Sequence, residues 1–242
     1  MNHILNGILI IYIKIKNKST YFFLNNYKNN IKIKLIYIIM NKSKYTKYIP
    51  SLGNLTDKIR YEYIMTNISL KKLPSDALDN NKITSLVASD DPNDEIFFWQ
   101  LYSILGEEPI HNLIHRFYTN IFNDDDEVWF RDEFIDGGNI DYHVKGQKKF
   151  WLDIMGGGPH YKGGELKLNL KHKLVRNIMN LDGANRWMYH MIKTLKELKY
   201  HKIKDKRIIN CIKNFLYFFM RKYSVEFDFN FFEFVKKNSS KL

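Results

Sequence analysis

Almost nothing in this chain would let it be built from disulfides, tight turns or membrane spans. It has one cysteine, Cys211, among 242 residues, so neither a disulfide framework nor a cysteine-rich zinc site can form within it. Cys211 sits in Ile209-Asn210-Cys211-Ile212, with no histidine or acid at an activating spacing, which marks it as a small core residue rather than a nucleophile. Five prolines and twelve glycines are too few for a turn-rich β-fold and favour helices. The apolar runs are short. Residues 4–13 are interrupted by Asn6 and Gly7 and residues 35–40 are shorter still, so neither reaches the roughly 18 to 20 residues of a spanning helix. The sequence contains no P-loop, hydrolase constellation or His/Cys metal motif.

Acid is missing from the first quarter of the chain. Residues 1–56 carry nine lysines and no Asp or Glu, the first acid being Asp57. The remainder holds 29 basic against 26 acidic residues, so the leader carries +9 of the formal net charge of +12 and the body is close to neutral. That distribution, with no arginine in the arm, argues against a nucleic-acid binder. A basic, acid-free leader rich in Ile, Asn, Lys and Tyr has the character of an organelle transit peptide, although such peptides favour Arg. A lysine-rich tail shaped by codon bias and a secretory signal built on Ile8-Leu9-Ile10-Ile11 are the alternatives. Mitochondrial import is the expectation, against a cytoplasmic or other organellar location.

What is present is apolar and aromatic surface, 45% and 15% of the chain, ample for one core. The expected organisation is a basic leader over 1–56, a polar linker with one short helix over 57–93, a helical domain over 94–223 and an aromatic tail over 224–242. Within the domain, Ile96, Phe97, Trp99, Leu101 and Leu105 predict a short helix broken by Gly106. Ile110, Leu113, Ile114, Phe117, Tyr118 and Ile121 form one stripe of a second helix opened by Pro109 and stopped by the acids of 124–127. A short aromatic segment over 128–135 leads through Asp136-Gly137-Gly138-Asn139 to a third helix over 140–155, ended by Gly156-Gly157-Gly158-Pro159. Leu166, Leu168, Leu170 and Leu174 surround His172 in a short fourth helix. Asp182 is the expected cap of a long helix through Trp187, Met191, Leu195 and Leu198, and a last helix runs over about 205–223.

The ordered series Leu101-Tyr102, Arg116-Phe117-Tyr118, Gln147 with Phe150, Gly157-Gly158-Pro159, His172 and Arg186-Trp187 resembles the group II truncated hemoglobins over roughly 100 residues. The resemblance implies an all-α, globin-like two-over-two helical sandwich, here with N- and C-terminal extensions, that holds heme b and its iron. It implies His172 as the proximal metal ligand, Tyr118 as a distal phenol on the second helix, and Trp187 deep in the pocket. Phe134 matches an aromatic at the heme edge, and Phe117, Phe150 and Trp151 are further candidates for the pocket wall.

The residue chemistry agrees. A neutral imidazole among leucines can hold a globin iron away from water, and the Tyr118 phenol and Trp187 indole N–H can each donate to a diatomic ligand. His143 and Gln147, four apart, share one face of the third helix. Counting Gly156 as an insertion turns that face to the heme; the other register would present Val144 and Lys148, and a buried lysine is costly.

The chain departs from the family pattern at Asn169-Leu170-Lys171, where an Arg-x-Arg is usual, and at Val175, where a Phe is usual. Two readings stand. The first is a heme globin binding oxygen, nitric oxide or carbon monoxide, by simple binding or with dioxygenase or peroxidase-like turnover fed by a reductase. The second is a heme-free globin fold serving as a structural subunit of an organellar complex, with the basic arm and the Phe227 to Phe234 tail as contact surfaces.

Overall fold

The computed structural model describes residues 3–5, 8–15, 18–25, 45, 51–164, 166–168, 170, 176–199 and 205–238. The chain divides into two compact units, residues 1–43 and 44–242.

The first unit is an antiparallel meander of β1 (His3–Leu5), β2 (Ile8–Ile15) and β3 (Lys18–Asn25). In its register Ile11 pairs with Phe22 and Tyr12 with Tyr21. Composition predicts a basic leader here and no particular secondary structure. The Ile, Tyr, Phe and Thr that fill it are the residues that best fit a pleated ribbon, and so it forms strands.

The second unit is all helical among the described residues, as expected of a globin-like all-α domain. It contains α1 (Thr56–Ser69), α2 (Asn81–Thr84), α3 (Leu101–Leu105), α4 (Glu107–Phe122), α5 (Val128–Asp136), α6 (Ile140–Ile154), α7 (Leu181–Lys199), α8 (Lys206–Glu226) and α9 (Phe231–Asn238). The stripe read from the sequence of α4 is its core face: Ile110, Leu113, Ile114, Phe117, Tyr118 and Ile121 are all buried. Through that face α4 packs chiefly against α6 and α7. No described helix is long and apolar enough to cross a membrane.

Residues 57–93, expected as a linker, belong to this unit. Thr56, Ile59, Tyr63, Ile64 and Asn67 are the buried side of α1, and Tyr63 meets Trp99 at 5.8 Å and Phe218 at 5.3 Å, both edge-on. The start of α1 is tied down by Asp153 from the end of α6. Its carboxylate, fully buried, accepts the backbone N–H groups of Asn54 (3.1 Å), Leu55 (2.9 Å) and Tyr161 (3.0 Å). Gly53 permits this approach, since a Cβ there would lie 2.0 Å from Asp153 Oδ1. The loop before α3 is fastened as well: Arg207 donates to the carbonyls of Asp91 (2.5 Å) and Asp94 (2.8 Å) while pairing with Asp205. Asp205 in turn caps α8 by accepting from Arg207 N.

Two further expectations shift. The long helix α7 is capped by Asn180, whose Oδ1 accepts Gly183 N at 2.9 Å, and Asp182 lies in the first turn, where its charge favours the helix N-terminus. The aromatic tail is no free surface: α9 packs on α7, Phe234 is fully buried, and Asn238 donates to Asn185 Oδ1 at 2.7 Å.

Candidate distal pocket

Rings from four helices converge around Tyr118. On α4, Phe117 and Tyr118 are adjacent in the buried stripe and touch edge-on at 5.3 Å. The inner face of α5 supplies Phe134, 6.0 Å from Tyr118 and 5.1 Å from Phe130. From α6, His143 lies flat against Tyr118, with ring centres 5.2 Å apart and 18° between planes. Its Nε2 donates to Phe134 O at 2.8 Å, because a carbonyl can only accept, and this bond fixes both the tautomer and the ring position. Trp187 of α7 closes the set against Phe117 at 4.9 Å. The structure thus brings together Tyr118, Phe117, Phe134, His143 and Trp187.

Gln147 stands one turn beyond His143 on α6 and is half-buried. In the neighbouring register Val144 is buried and Lys148, half-buried, reaches Glu107 at 2.7 Å. Phe150 and Trp151 belong to a different set of rings. Phe150 meets Tyr161 at 5.7 Å and Phe219 at 6.0 Å, and Trp151 meets Phe98 at 5.7 Å, so their ring contacts run towards α8 rather than to Tyr118. His172 lies outside the described residues. Of the leucines expected around it, Leu168 is buried, but Leu170 is 54% exposed.

The polar atoms of the pocket are distinctive. Tyr118 is buried, and burial raises its phenol well above the usual range, so it stays a neutral donor. Its hydroxyl, the Trp187 indole N–H and the Gln147 amide make no hydrogen bond to the protein among the described residues. Trp187 and Gln147 are half-buried, and none of the three donors is sealed in the interior without a partner, so each is open to a small polar guest beside an apolar wall. These residues therefore fit heme and a diatomic ligand. On the outer side, where α4 ends and α6 begins, an open cleft of about 440 Å³ is lined by His115, Phe122, Asn139, Ile140 and Asp141.

Behind the aromatic wall lies a group of charged residues that the sequence reading did not single out. Asp124, at the end of α4, is buried and accepts two hydrogen bonds from the Arg186 guanidinium and one from His190 Nε2 at 2.7 Å. Burial alone would raise this carboxyl, but the bonds from Arg186 and His190 outweigh it and hold the pKa at about 2. Burial pushes the His190 imidazole the other way, towards its neutral form, against the pull of Asp124. The His190 ring stacks on Phe130 at 6.0 Å, so this ion pair braces the helix carrying Phe134. The seam continues up the helices through Asn120 to Thr194 at 3.0 Å and Arg116 to Glu197 at 2.5 Å.

Residues 100–220 match the family model for bacterial-like globins. Two-on-two hemoglobin-3 of Arabidopsis thaliana is 31% identical over 99 residues, covering 40% of this chain and 54% of that protein. The chain therefore spans about half the length of this curated relative. No solved structure matches.

Proposed function

This chain belongs to the bacterial-like globins, and from that premise we propose that it holds heme b and binds a small diatomic ligand, oxygen, nitric oxide or carbon monoxide, beside Tyr118 and Trp187. The observation that carries the reading is the Tyr118 ring, buried among Phe117, Phe134 and His143, with a hydroxyl that makes no hydrogen bond to the protein among the described residues. The heme supplies an iron with an open ligand position. His172 is the residue proposed to hold that iron, and in the ordered series it stands between Gly157-Gly158-Pro159 and Arg186-Trp187.

The chain's own groups then divide the work. Phe117 and Phe134 offer apolar surface and keep water away from the ligand. Tyr118 and Trp187 are neutral donors, so they favour a ligand that accumulates negative charge without adding a charge of their own. One such hydrogen bond contributes about 1 kcal/mol. Gln147 extends the donor set along α6. The same face of α6 reaches Phe150 two turns on, but that ring is engaged by Tyr161 and Phe219.

The test is hemin titration of the full chain, since α1 is part of the same core and truncation ahead of residue 94 would strip it. Wild type is expected to develop a Soret band with saturable stoichiometry, and His172→Ala to lose it while keeping its helical circular dichroism. A folded wild type that takes up no hemin overturns the proposal. We propose separately that the lysine-rich leader directs mitochondrial import and that a partner reductase supplies electrons; fractionation and reductase-coupled reduction of the loaded protein test them.

A further inference from the structure

Resting on the heme reading above, we propose that the outer face of α5 is the docking surface of a one-electron donor protein whose own surface is basic, and that electrons enter the pocket there. Helical spacing sorts the residues of α5 into two sides. Phe130 and Phe134 are its buried side, and Val128, Trp129, Asp132, Ile135 and Asp136 fall opposite them. Val128, Trp129 and Ile135 are 43%, 43% and 46% exposed. The Trp129 indole N–H donates to Glu127 Oε2 at 2.6 Å, which holds a large apolar ring at the surface.

The charge of this face selects its partner. Residues 124–141 contain eight acids and a single basic residue, Arg131, in a chain of net charge +12. The cations that reach the face are already matched. Arg131 pairs with Asp125 at 2.6 Å and with Asp132 at 3.1 Å, and Arg186 pairs with Asp124 and Asp126. The Asp125 and Asp126 side chains remain 89% and 87% exposed, and Asp136 is exposed as well. An acidic rim around apolar side chains steers a cationic surface towards it and repels nucleic acid and anionic lipid. A tryptophan at the centre is the kind of anchor that holds protein interfaces.

The place of the face gives the partner its task. Phe134, on the inner side of the same helix, meets Tyr118 at 6.0 Å. A protein docked outside is therefore separated from the pocket wall by the thickness of one helix, about 10 Å, which an electron crosses by tunnelling. The balance is a single electron: the donor is oxidised by one, and a ferric iron held in the pocket is reduced to ferrous. No bond is made or broken and no proton moves. Small, charge-steered interfaces suit such a transient donor, because it must leave again once oxidised.

The experiment has two arms. In the first, the full chain without hemin is titrated calorimetrically with a decalysine peptide at low ionic strength. Wild type is expected to bind it, less tightly as salt rises. The triple variant Asp125→Asn, Asp126→Asn, Asp136→Asn is expected to bind about tenfold more weakly with unchanged helical circular dichroism. In the second arm the hemin-loaded ferric chain is reduced under carbon monoxide by hexaammineruthenium(II), a cation, or by ferrous EDTA, an anion. Wild type is expected to favour the cation against the sign of its own net charge, and the triple variant to lose that preference. Decalysine binding that is absent, or that the triple variant leaves unchanged, overturns the docking surface and spares the heme function. A cation preference untouched by the variant overturns electron entry at α5. Self-association at low salt that the variant abolishes gives the face to a second copy and overturns the donor. Failure of wild type to take up hemin overturns the donor's role together with the function it rests on, whichever way the first arm reads.

Discussion

The two ends of α6 are built on opposite rules. At its C-terminal end every strong polar group is committed. Asp153 accepts three backbone N–H groups, and Phe150 and Trp151 are locked among Phe98, Tyr161 and Phe219. Near its N-terminal end the rings are just as close, yet Tyr118, Trp187 and Gln147 leave donors without a protein partner among the described residues. A buried carboxylate with three donors is a fastening. A buried tyrosine whose hydroxyl makes no protein hydrogen bond among the described residues is where the proposed ligand would find its donor.

That contrast can be broken at each end. The largest effect should come from Asp153→Ala, which strands three backbone donors in the interior and releases the start of α1. Loss of about 3 kcal/mol or more is expected in chemical denaturation, with hemin uptake per folded molecule unchanged. Next is Asp124→Asn. The folded carboxyl titrates at about 2 against an ordinary 3.8, so its contribution is fully present above about pH 4 and is lost as pH falls towards 2, in all about 2 kcal/mol. His190, whose pKa is lowered by burial, acts in the same direction, contributing stability that declines as pH drops below its ordinary value of 6.5. Wild-type stability should therefore fall on acidification through both ranges, and Asp124→Asn should flatten the lower one.

Smaller still is Tyr118→Phe. It removes a hydroxyl that no described protein group uses, so stability should stay within about 0.5 kcal/mol, while ligand dissociation should quicken about tenfold, the loss of roughly 1.4 kcal/mol of hydrogen bonding. A large loss of stability with unchanged dissociation would reverse the roles assigned to the two ends of α6. Phe232→Ser, at a side chain 76% exposed on α9, should alter neither.

Much of this was legible in the residues. The stripe from Ile110 to Ile121 follows helical spacing strongly enough to declare its own buried face, and Asp205 announces the start of α8 by its position ahead of an amphipathic run. α1 was hidden because its buried stripe includes Thr56 and Asn67, so hydrophobic periodicity is faint. Asn180 was passed over for Asp182 because either fits a cap by type, and only the backbone path through Gly183 decides between them. The leader was read by composition, which conceals the β-forming character of its Ile, Tyr and Phe. Asp124 looked like one acid in a helix-stopping run. Its partners lie 62 and 66 residues away, and the one hint was Arg186 and His190 four apart on one face of α7. Of the pocket, the sequence showed the candidates but not their division, for nothing local tells Phe150 that its ring contacts lie with Phe219 and not with Tyr118.

The most direct test of the account is the carbon–oxygen stretching frequency of carbon monoxide bound to the hemin-loaded, reduced full chain, compared with Tyr118→Phe. Donation from the Tyr118 hydroxyl weakens the carbon–oxygen bond, so the account predicts a low frequency in wild type that rises in the variant. An unchanged frequency would mean that the unpartnered phenol does not face the ligand, and would contradict the assignment of this end of α6 as the pocket.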